Sequence, residues 1–479
     1  MVESNPRPGT SRRNFLTASA AVLGASAAMG HTAQAAEDGS GRVWPPGPGV
    51  RTRPQAPDRE LRSLLAELDE RRMEASVRRL VSFGTRHTLS SQTDPQRGIG
   101  AARDWIFAEL QRYAATSGGR MTVELQSYVQ PAGPRIPVPT TITSVVATLR
   151  GSVAPNRVYV VAGHYDSRVT DVMNATSDAP GADDDASGVA AVLDMARVMA
   201  TRAPEATIVF AAVAGEEQGL FGSDYLAKQL KAAGADVQGM FTNDIVGSST
   251  ADDGTKDPHV VRLFAEGVPT SETPAQAATR QSVGGENDSP SRQLARFVTE
   301  VADNSATDMN VEVVYRRDRY LRGGDHISFL QQGFPAARFT EPHEDYAHQH
   351  QDVRFENGVQ YGDLVEFCDF RYLARVARVN AAAVWSLAIA PGTPKGVKIR
   401  TSRLTNETDL VWERGTEPDL AGYEIVWRPT TEPTWTHAIP VGEVTAYTVA
   451  LSKDNVFFGV RAMDRAGHRS PVGFPVPAP

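Results

Sequence analysis

Short apolar runs and amphipathic stretches alternate through the middle of the chain. Residues 157–163 and 206–214 are almost continuously apolar. Between them, residues 187–199 carry apolar side chains at intervals of three and four, which predicts a helix with one buried face. Such strands are typical of a sheet that helices cover on both faces. The pattern predicts an α/β fold, a three-layer domain with a mostly parallel mixed sheet between helices.

Further elements extend this domain in both directions. Amphipathic spacing predicts a helix over 58–80 and another over 98–113. Later in the chain, helices are predicted at 220–233 and 359–388, strands at 239–246, 310–315 and 335–339, and a polar, loop-rich insertion at 247–288.

The pattern changes after Ala390, where Pro391, Gly392 and Pro394 interrupt it. Strand-like runs then follow at 408–412, 422–428, 447–451 and 456–463, with turn residues between them and no helical spacing. This rhythm is typical of a small C-terminal all-β sandwich.

The N-terminal residues have the order of an export signal. Arg12 and Arg13 precede an uncharged, alanine-rich stretch and the small-residue site Ala33-Gln34-Ala35. We therefore expect a twin-arginine signal peptide over 1–35, the twin-arginine export machinery as a partner, and a periplasmic or secreted location. The stretch is shorter than the ~20 apolar residues of a spanning helix, so no membrane span is predicted. Pro- and Gly-rich residues 36–57 predict a linker, which leaves domains over 58–390 and 391–479.

Composition narrows the classes of function. With 41% hydrophobic and 22% charged residues and a net charge of -8, the chain has the profile of a globular protein. No Lys/Arg-rich tract supports nucleic-acid binding. The single cysteine, Cys368, excludes an internal disulfide and a Cys-rich zinc site, and we interpret it as a buried structural thiol.

Polar clusters follow the predicted strands. They lie at 163–167, 181–188, 215–219, 243–244 and 348–352. Taken singly, each is ordinary, since an Asp run often caps a helix and a Glu pair often lies in a solvated turn. Ligands of open α/β sheets bind at the carboxyl ends of the strands, however, so we expect the clusters to converge. Histidines and carboxylates without cysteine suit zinc or a similar divalent ion.

Other catalytic patterns are absent from the sequence. It contains no Gly-x-Ser-x-Gly motif and no Gly-x-x-x-x-Gly-Lys-Ser/Thr motif. The stretch that begins His343-Glu344 fails the His-Glu-x-x-His rule, because Ala347 occupies the second ligand position.

The motifs Gly163-His164-Tyr165-Asp166-Ser167, Ala182-Asp183-Asp184-Asp185 and Glu216-Glu217 make the sequence recognisable. From about Val81 to Pro391 it resembles the co-catalytic two-zinc exopeptidases, which include bacterial leucyl aminopeptidase, aminopeptidase Y and glutamate carboxypeptidase. The resemblance implies two Zn²⁺ ions per chain, a bridging Asp184, Glu216 as general base and Asp166 as the residue that orients His164. The implied metal ligands are His164, Asp184, Glu217, Asp244 and His348.

The resemblance implies an exported, zinc-dependent, aminopeptidase-like enzyme that hydrolyses peptide bonds of a peptide or small-protein substrate with a metal-activated water. A carboxypeptidase or a glutaminyl-cyclase-like enzyme of the same fold is the alternative within this class. A non-catalytic binding protein is the alternative outside it, but every implied ligand position is filled.

Three points stay open at the level of sequence. His350 competes with His348 as the ligand, and Asp352, four residues after His348, favours His348. Asp325 matches a family segment near the site and fits a helix cap equally well. Where some relatives carry a tyrosine in that segment, this chain has Leu321, with Tyr320 beside it.

The tail resembles a fibronectin type III domain through core positions such as Trp412 and Tyr423.

Overall fold

The computed structural model of the chain describes residues 44–479. The predicted signal peptide (1–35) and the first part of the predicted linker (36–43) lie outside the described residues. From Pro45 to Pro479 the chain forms one compact unit. Within the described residues, no helix has the length and apolar character needed to cross a membrane.

The helices lie in the part of the unit that precedes residue 390. They are α1 (Arg59–Ala66), α2 (Glu70–Val81), α3 (Ile99–Ala114), α4 (Ala186–Ala200), α5 (Glu216–Gly219), α6 (Phe221–Ala232), α7 (Pro274–Val283), α8 (Pro290–Ala302), α9 (His326–Gln331) and α10 (Phe370–Ile389), with a 3-10 turn at Val365–Phe367.

The strands extend over the whole unit. They are β1 (Val50–Arg51), β2 (Met121–Gln130), β3 (Thr140–Leu149), β4 (Ala154–His164), β5 (Ala206–Val213), β6 (Asp236–Asn243), β7 (Val260–Phe264), β8 (Asn310–Val314), β9 (Ala336–Thr340), β10 (Arg354–Glu356), β11 (Val359–Tyr361), β12 (Lys398–Arg400), β13 (Thr408–Val411), β14 (Leu420–Pro429), β15 (His437–Gly442), β16 (Ala446–Val449), β17 (Val456–Asp464) and β18 (Val476–Ala478).

Eight strands form the central sheet in the order β2-β3-β5-β4-β6-β9-β7-β8. The pairs β4–β5, β4–β6, β6–β9 and β7–β8 are parallel, whereas β2–β3, β3–β5 and β7–β9 are antiparallel. The predicted mostly parallel mixed sheet is therefore confirmed.

Side chains of β4 show why the sheet lies between two helical layers. Tyr159 and Val161 belong to the larger core cluster, which includes residues of α2, α4, α8 and α10. Val158 and Val160 belong to a second cluster with residues of α6 and α9. Successive strand residues face opposite sides of a sheet, so the apolar run of β4 buries both faces. This confirms the predicted three-layer arrangement.

Several predicted element boundaries differ from the structure. The helix predicted over 58–80 is two helices, because the Asp69 side chain accepts a hydrogen bond from the Arg71 N–H and begins α2. The closing helix begins at Phe370, and residues 359–361 form a strand instead. The insertion predicted to be loop-rich contains β7 and α7. Cys368 is half-buried just before α10 rather than within a helix.

The C-terminal part contains two four-stranded sheets, β1-β15-β14-β17 and β16-β13-β12-β18. Leu410 of one sheet and Trp412, which follows its strand β13, pack with Tyr423 and Trp427 of the other sheet in a shared core, which confirms the predicted all-β sandwich. The described part of the segment predicted as a linker is fixed on this sandwich. Its strand β1 pairs with β15, and the Trp427 indole donates to the carbonyl oxygen of Pro48 at 2.8 Å.

Candidate metal centre

The carboxyl ends of three neighbouring parallel strands carry the predicted site residues. β4 ends at His164, Glu216 and Glu217 follow β5, and Asp244 follows β6. Because β4 pairs in parallel with both β5 and β6, these ends lie side by side. Asp184 comes from the turn before α4. The topology thus brings the clusters together at the edge where ligands of α/β sheets bind.

His164, Asp184 and Asp244 form the first group of candidate metal ligands, and all three are buried. The His164 Nε2 atom lies 3.0 Å from Asp184 Oδ1 and 3.8 Å from Asp244 Oδ1. One ligand atom from each residue lies within 4.8 Å of the others. The group can therefore surround a single cation.

Asp184, Glu217 and His350 form a second group. The His350 Nε2 atom lies 2.8 Å from Asp184 Oδ2 and 2.9 Å from Glu217 Oε1. Asp184 thus presents one carboxylate oxygen to each group.

His348, which the sequence analysis assigned to this position, is not part of either group. Its ring stacks on Phe367 with the ring centres 3.4 Å apart, and its Nδ1 atom lies 3.0 Å from Asp345 Oδ2. Asp352, whose spacing favoured His348, is exposed. The structure therefore places His350, and not His348, in the second group.

Two arginines hold the carboxylates that belong to only one group each. Arg338, which is buried, contacts Asp244, and the half-buried Arg168 contacts Glu217. Arg338 Nη1 lies 2.7 Å from Asp244 Oδ2, and Arg168 Nε donates to Glu217 Oε2 at 2.8 Å. Each contact leaves the other oxygen, Asp244 Oδ1 or Glu217 Oε1, directed to its group. Arg168 and Arg338 were missed by the sequence analysis, although a charged residue within the apolar strand β9 is a visible signal for Arg338.

Asp363 was also missed, and it holds the backbone of the shared carboxylate. Its two carboxylate oxygens accept the N–H groups of Asp183 and Asp184, each at 2.8 Å. Burial raises the pKa of Asp363 well above its usual range, and the negative charge of Asp183 raises it further. Nothing in the local sequence marks this residue.

Asp166 connects the first group to the Glu216-Glu217 pair. Its backbone carbonyl lies 3.1 Å from His164 Nδ1, whereas its carboxylate oxygen is 3.7 Å away. The carboxylate accepts the N–H groups of Glu216 and Glu217, both at 3.2 Å. The expected contact with His164 is thus made chiefly by the main chain, and the side chain holds the start of α5.

Glu216 differs from its neighbour Glu217 because its carboxylate has no hydrogen bond or ion pair within residues 44–479. Burial raises the pKa of Glu216 well above its usual range, and the negative charges of Asp244 and Glu217 add to this effect. A raised pKa favours uptake of a proton.

In the segment before Asp325, the residues at the position of the relatives' tyrosine are exposed. Tyr320 is 76% exposed and Leu321 is 93% exposed. Asp325 is buried, and its side chain does not cap α9. Burial raises the pKa of Asp325 to about 7, and the negative charge of Asp244 contributes.

Two buried polar atoms without a hydrogen bond indicate that cations fit this site. His164 Nε2 and Glu217 Oε1 are buried, and within the described chain their close contacts with Asp184 and His350 do not have the geometry of a hydrogen bond. Such atoms are costly unless something binds them. With three carboxylates and two imidazoles, the donor set suits zinc. The fold and this centre define a class, that of metal-dependent hydrolases.

Comparisons with known proteins give the family. Residues 144–364 match the model of Peptidase family M28. A probable zinc metalloprotease of Pyrenophora teres f. teres is 55% identical over 449 residues, which are 93% of each chain. One of Pyricularia oryzae is 56% identical over 443 residues, 91% of this chain and 88% of that protein. The LapA aminopeptidase of Legionella pneumophila has a TM-score of 0.49 and 17% identity, covering 69% of this chain and 75% of that one. The chain belongs to peptidase family M28 and is a metalloprotease.

Proposed function

We propose that this metalloprotease is an exported, two-zinc exopeptidase of the aminopeptidase type. The single observation that carries the proposal is the pair of ligand groups that share Asp184, with the carboxylate of Glu216 close enough to feel the charges of His164, Asp244 and Glu217. The names of the relatives, which are described as probable zinc metalloproteases, support zinc as the metal.

In this proposal, His164, Asp184 and Asp244 hold one ion, and Asp184, Glu217 and His350 hold the other. Two zinc ions bound there would lower the pKa of a water molecule and stabilise the negative charge that develops on the scissile carbonyl. Arg338 and Arg168 keep Asp244 and Glu217 in position, because each engages the carboxylate oxygen that faces away from the group.

Glu216 acts as the general base. Its carboxylate takes a proton from the attacking water and passes it to the amine of the departing peptide. Asp166 fixes the main chain of Glu216 and Glu217 through their N–H groups. The base and the neighbouring ligand are therefore held by one carboxylate.

The change Glu216→Gln tests the mechanism because it removes the base and keeps the shape of the side chain. We expect turnover to fall by ~10²–10⁴-fold, while metal analysis of the variant still finds close to two zinc ions per chain. The exposed Glu124 on β2 offers a matched control, Glu124→Gln, which should behave as the wild type. Full activity of the Glu216 variant would refute the assignment.

Substrate chemistry separates this proposal from its alternatives. A free-amine aminoacyl-arylamide should be cleaved, and a peptide with a blocked N-terminus should not. Cleavage of N-blocked peptides from the carboxyl end would identify a carboxypeptidase. Cyclisation of N-terminal glutamine with one zinc ion per chain would identify a cyclase-like enzyme.

Export is proposed from residues 1–35. Replacing Arg12 and Arg13 with lysines should leave the precursor inside the cell and stop processing near Ala35. Cell fractionation in a host with twin-arginine export measures this. Unchanged processing and location of the Lys-Lys variant would count against that route.

A further inference from the structure

Leu321 combines two unfavourable features. Its side chain is 93% exposed, and its backbone has a φ of 58°. The left-handed conformation is disfavoured for a bulky residue, and asparagine tolerates it better. Tyr320, the preceding residue, is also exposed. Features that cost stability and persist in an ordered loop point to a function.

The loop that carries Leu321 is anchored to the metal centre. Arg338, which holds Asp244, also donates to the carbonyl oxygen of Gly323 at 3.0 Å. Arg319 Nη1 lies 3.5 Å from Glu344 Oε2, and Arg322 pairs with the same carboxylate. Consecutive Cα atoms are ~3.8 Å apart, so the Leu321 Cα lies within ~8 Å of the Gly323 Cα. The exposed pair thus lies on the loop that Arg338 connects to Asp244.

We propose that Tyr320 and Leu321 form an apolar rim that binds the outgoing part of the peptide substrate. This inference rests on the proposed exopeptidase function. An exopeptidase holds one terminal residue at its reacting centre, and the rest of the peptide leaves through the mouth of the site. The rim therefore contacts residues beyond the scissile bond and favours apolar side chains there.

Two of the arginines beside the rim, Arg319 and Arg322, are already engaged, whereas the exposed Arg316 lies over the Tyr320 ring, 5.3 Å from its centre. Arg319 and Arg322 share Glu344, and Gln349 lies next to the same pair. Their charge is thus neutralised in part, whereas no described residue covers the Leu321 side chain. The surface offered to the substrate at Leu321 is apolar, and we expect an apolar residue of the peptide to bind there.

The variant Leu321→Asn tests the rim, because asparagine suits the backbone and removes the apolar side chain. We expect its KM for a tetrapeptide with apolar residues after the first to rise about tenfold, the scale of burying one leucine side chain. KM for an aminoacyl-arylamide, which has no outgoing peptide, should change less than twofold. The melting temperature should stay equal or rise.

Two further variants serve as controls. Leu321→Met keeps an apolar side chain and should retain the wild-type KM for the tetrapeptide. Leu404, 97% exposed in the sandwich, gives the control Leu404→Asn, which should change neither KM.

Two results would refute the proposal that Tyr320 and Leu321 bind the outgoing peptide. One is an unchanged KM of Leu321→Asn for the tetrapeptide, and the other is an equal rise for both substrates, which would indicate a general disturbance of the centre. If the zinc-loaded wild type cleaves neither substrate, the proposed exopeptidase function fails, and the rim falls with it.

Discussion

At position 350 the backbone has a φ of 54°, the left-handed conformation. Histidine is among the residues that adopt it more often than most. The imidazole of His350 lies between Asp184 and Glu217, and Arg168 Nη2 is 2.6 Å from its Nδ1 atom. His348, two residues earlier, lies against Phe367. The local backbone therefore decides which of two neighbouring histidines joins the carboxylates.

We expect opposite results from replacing His350 and His348 with alanine. His350→Ala should reduce the zinc content from near two ions to near one and lower turnover by at least ~10²-fold, because the second group loses its only imidazole. His348→Ala should keep both ions and most activity, and it should lower stability slightly through lost stacking. Metal analysis and arylamide turnover of both variants measure this. If His348→Ala loses the ion instead, the assignment from the geometry is wrong.

A functional side chain could be predicted from the sequence where its residue lies at the end of an apolar strand. His164 ends an apolar strand and Asp244 follows one, and both are predicted from the sequence. Between the two histidines the sequence favours His348, whereas the structure places His350 beside Asp184 and Glu217, because spacing does not encode the left-handed turn. Asp363 could not be found either, since it contacts Asp184 from 179 residues away in the chain.

The short helix α5 shows how one element places two functional side chains. It comprises four residues, Glu216–Gly219, between left-handed residues at Gly215 and Leu220. The Asp166 carboxylate accepts the first two N–H groups of the helix. A helix this short has little stability of its own, so its position depends on that carboxylate.

We therefore expect Asp166→Asn to act through α5. The amide NH₂ group would face an N–H donor, and Glu216 and Glu217 would shift together. Loss of such a supporting carboxylate typically lowers activity or metal affinity ~10–100-fold. Competition with a zinc chelator should show weaker binding, in contrast to Glu216→Gln, which should keep its zinc. Unchanged affinity together with unchanged turnover would show that α5 does not need this contact.

Elements buried on both faces could be predicted, and elements at the edges could not. Strands β4 and β5 are continuous apolar runs and were found. The hairpin of β2 and β3 was missed because much of β2, an edge strand, is exposed. The start of α10 was placed too early, because apolar residues such as Val365 continue its spacing. In the structure, α10 begins after Asp369, whose side chain accepts a hydrogen bond from the N–H of Arg371. Asp69 makes the same kind of contact at the start of α2.

At the scale of the whole molecule, the sandwich and the α/β part share buried ion pairs. Asp288, which precedes α8, lies 2.7 Å from Arg296 of the same helix and 2.7 Å from Arg428 of β14. Trp435 of the sandwich donates to Gln293 of α8 at 3.0 Å. The change in composition near residue 390 predicted two parts. It could not predict their common interface, because these partners lie about 140 residues apart and carry no local pattern.

Asp288 offers a test of this interface. Asp288→Ala leaves two buried arginines without their partner, and breaking a buried pair in this way typically costs ~3–5 kcal/mol. We expect a lower urea midpoint, with sandwich tryptophan fluorescence changing before activity is lost. The exposed pair of Arg414 and Glu443 supplies the control, since Glu443→Ala should leave the midpoint unchanged. If Asp288→Ala and Glu443→Ala have the same midpoint, the buried pairs do not stabilise the contact between the two parts, and another set of contacts must hold the sandwich in place.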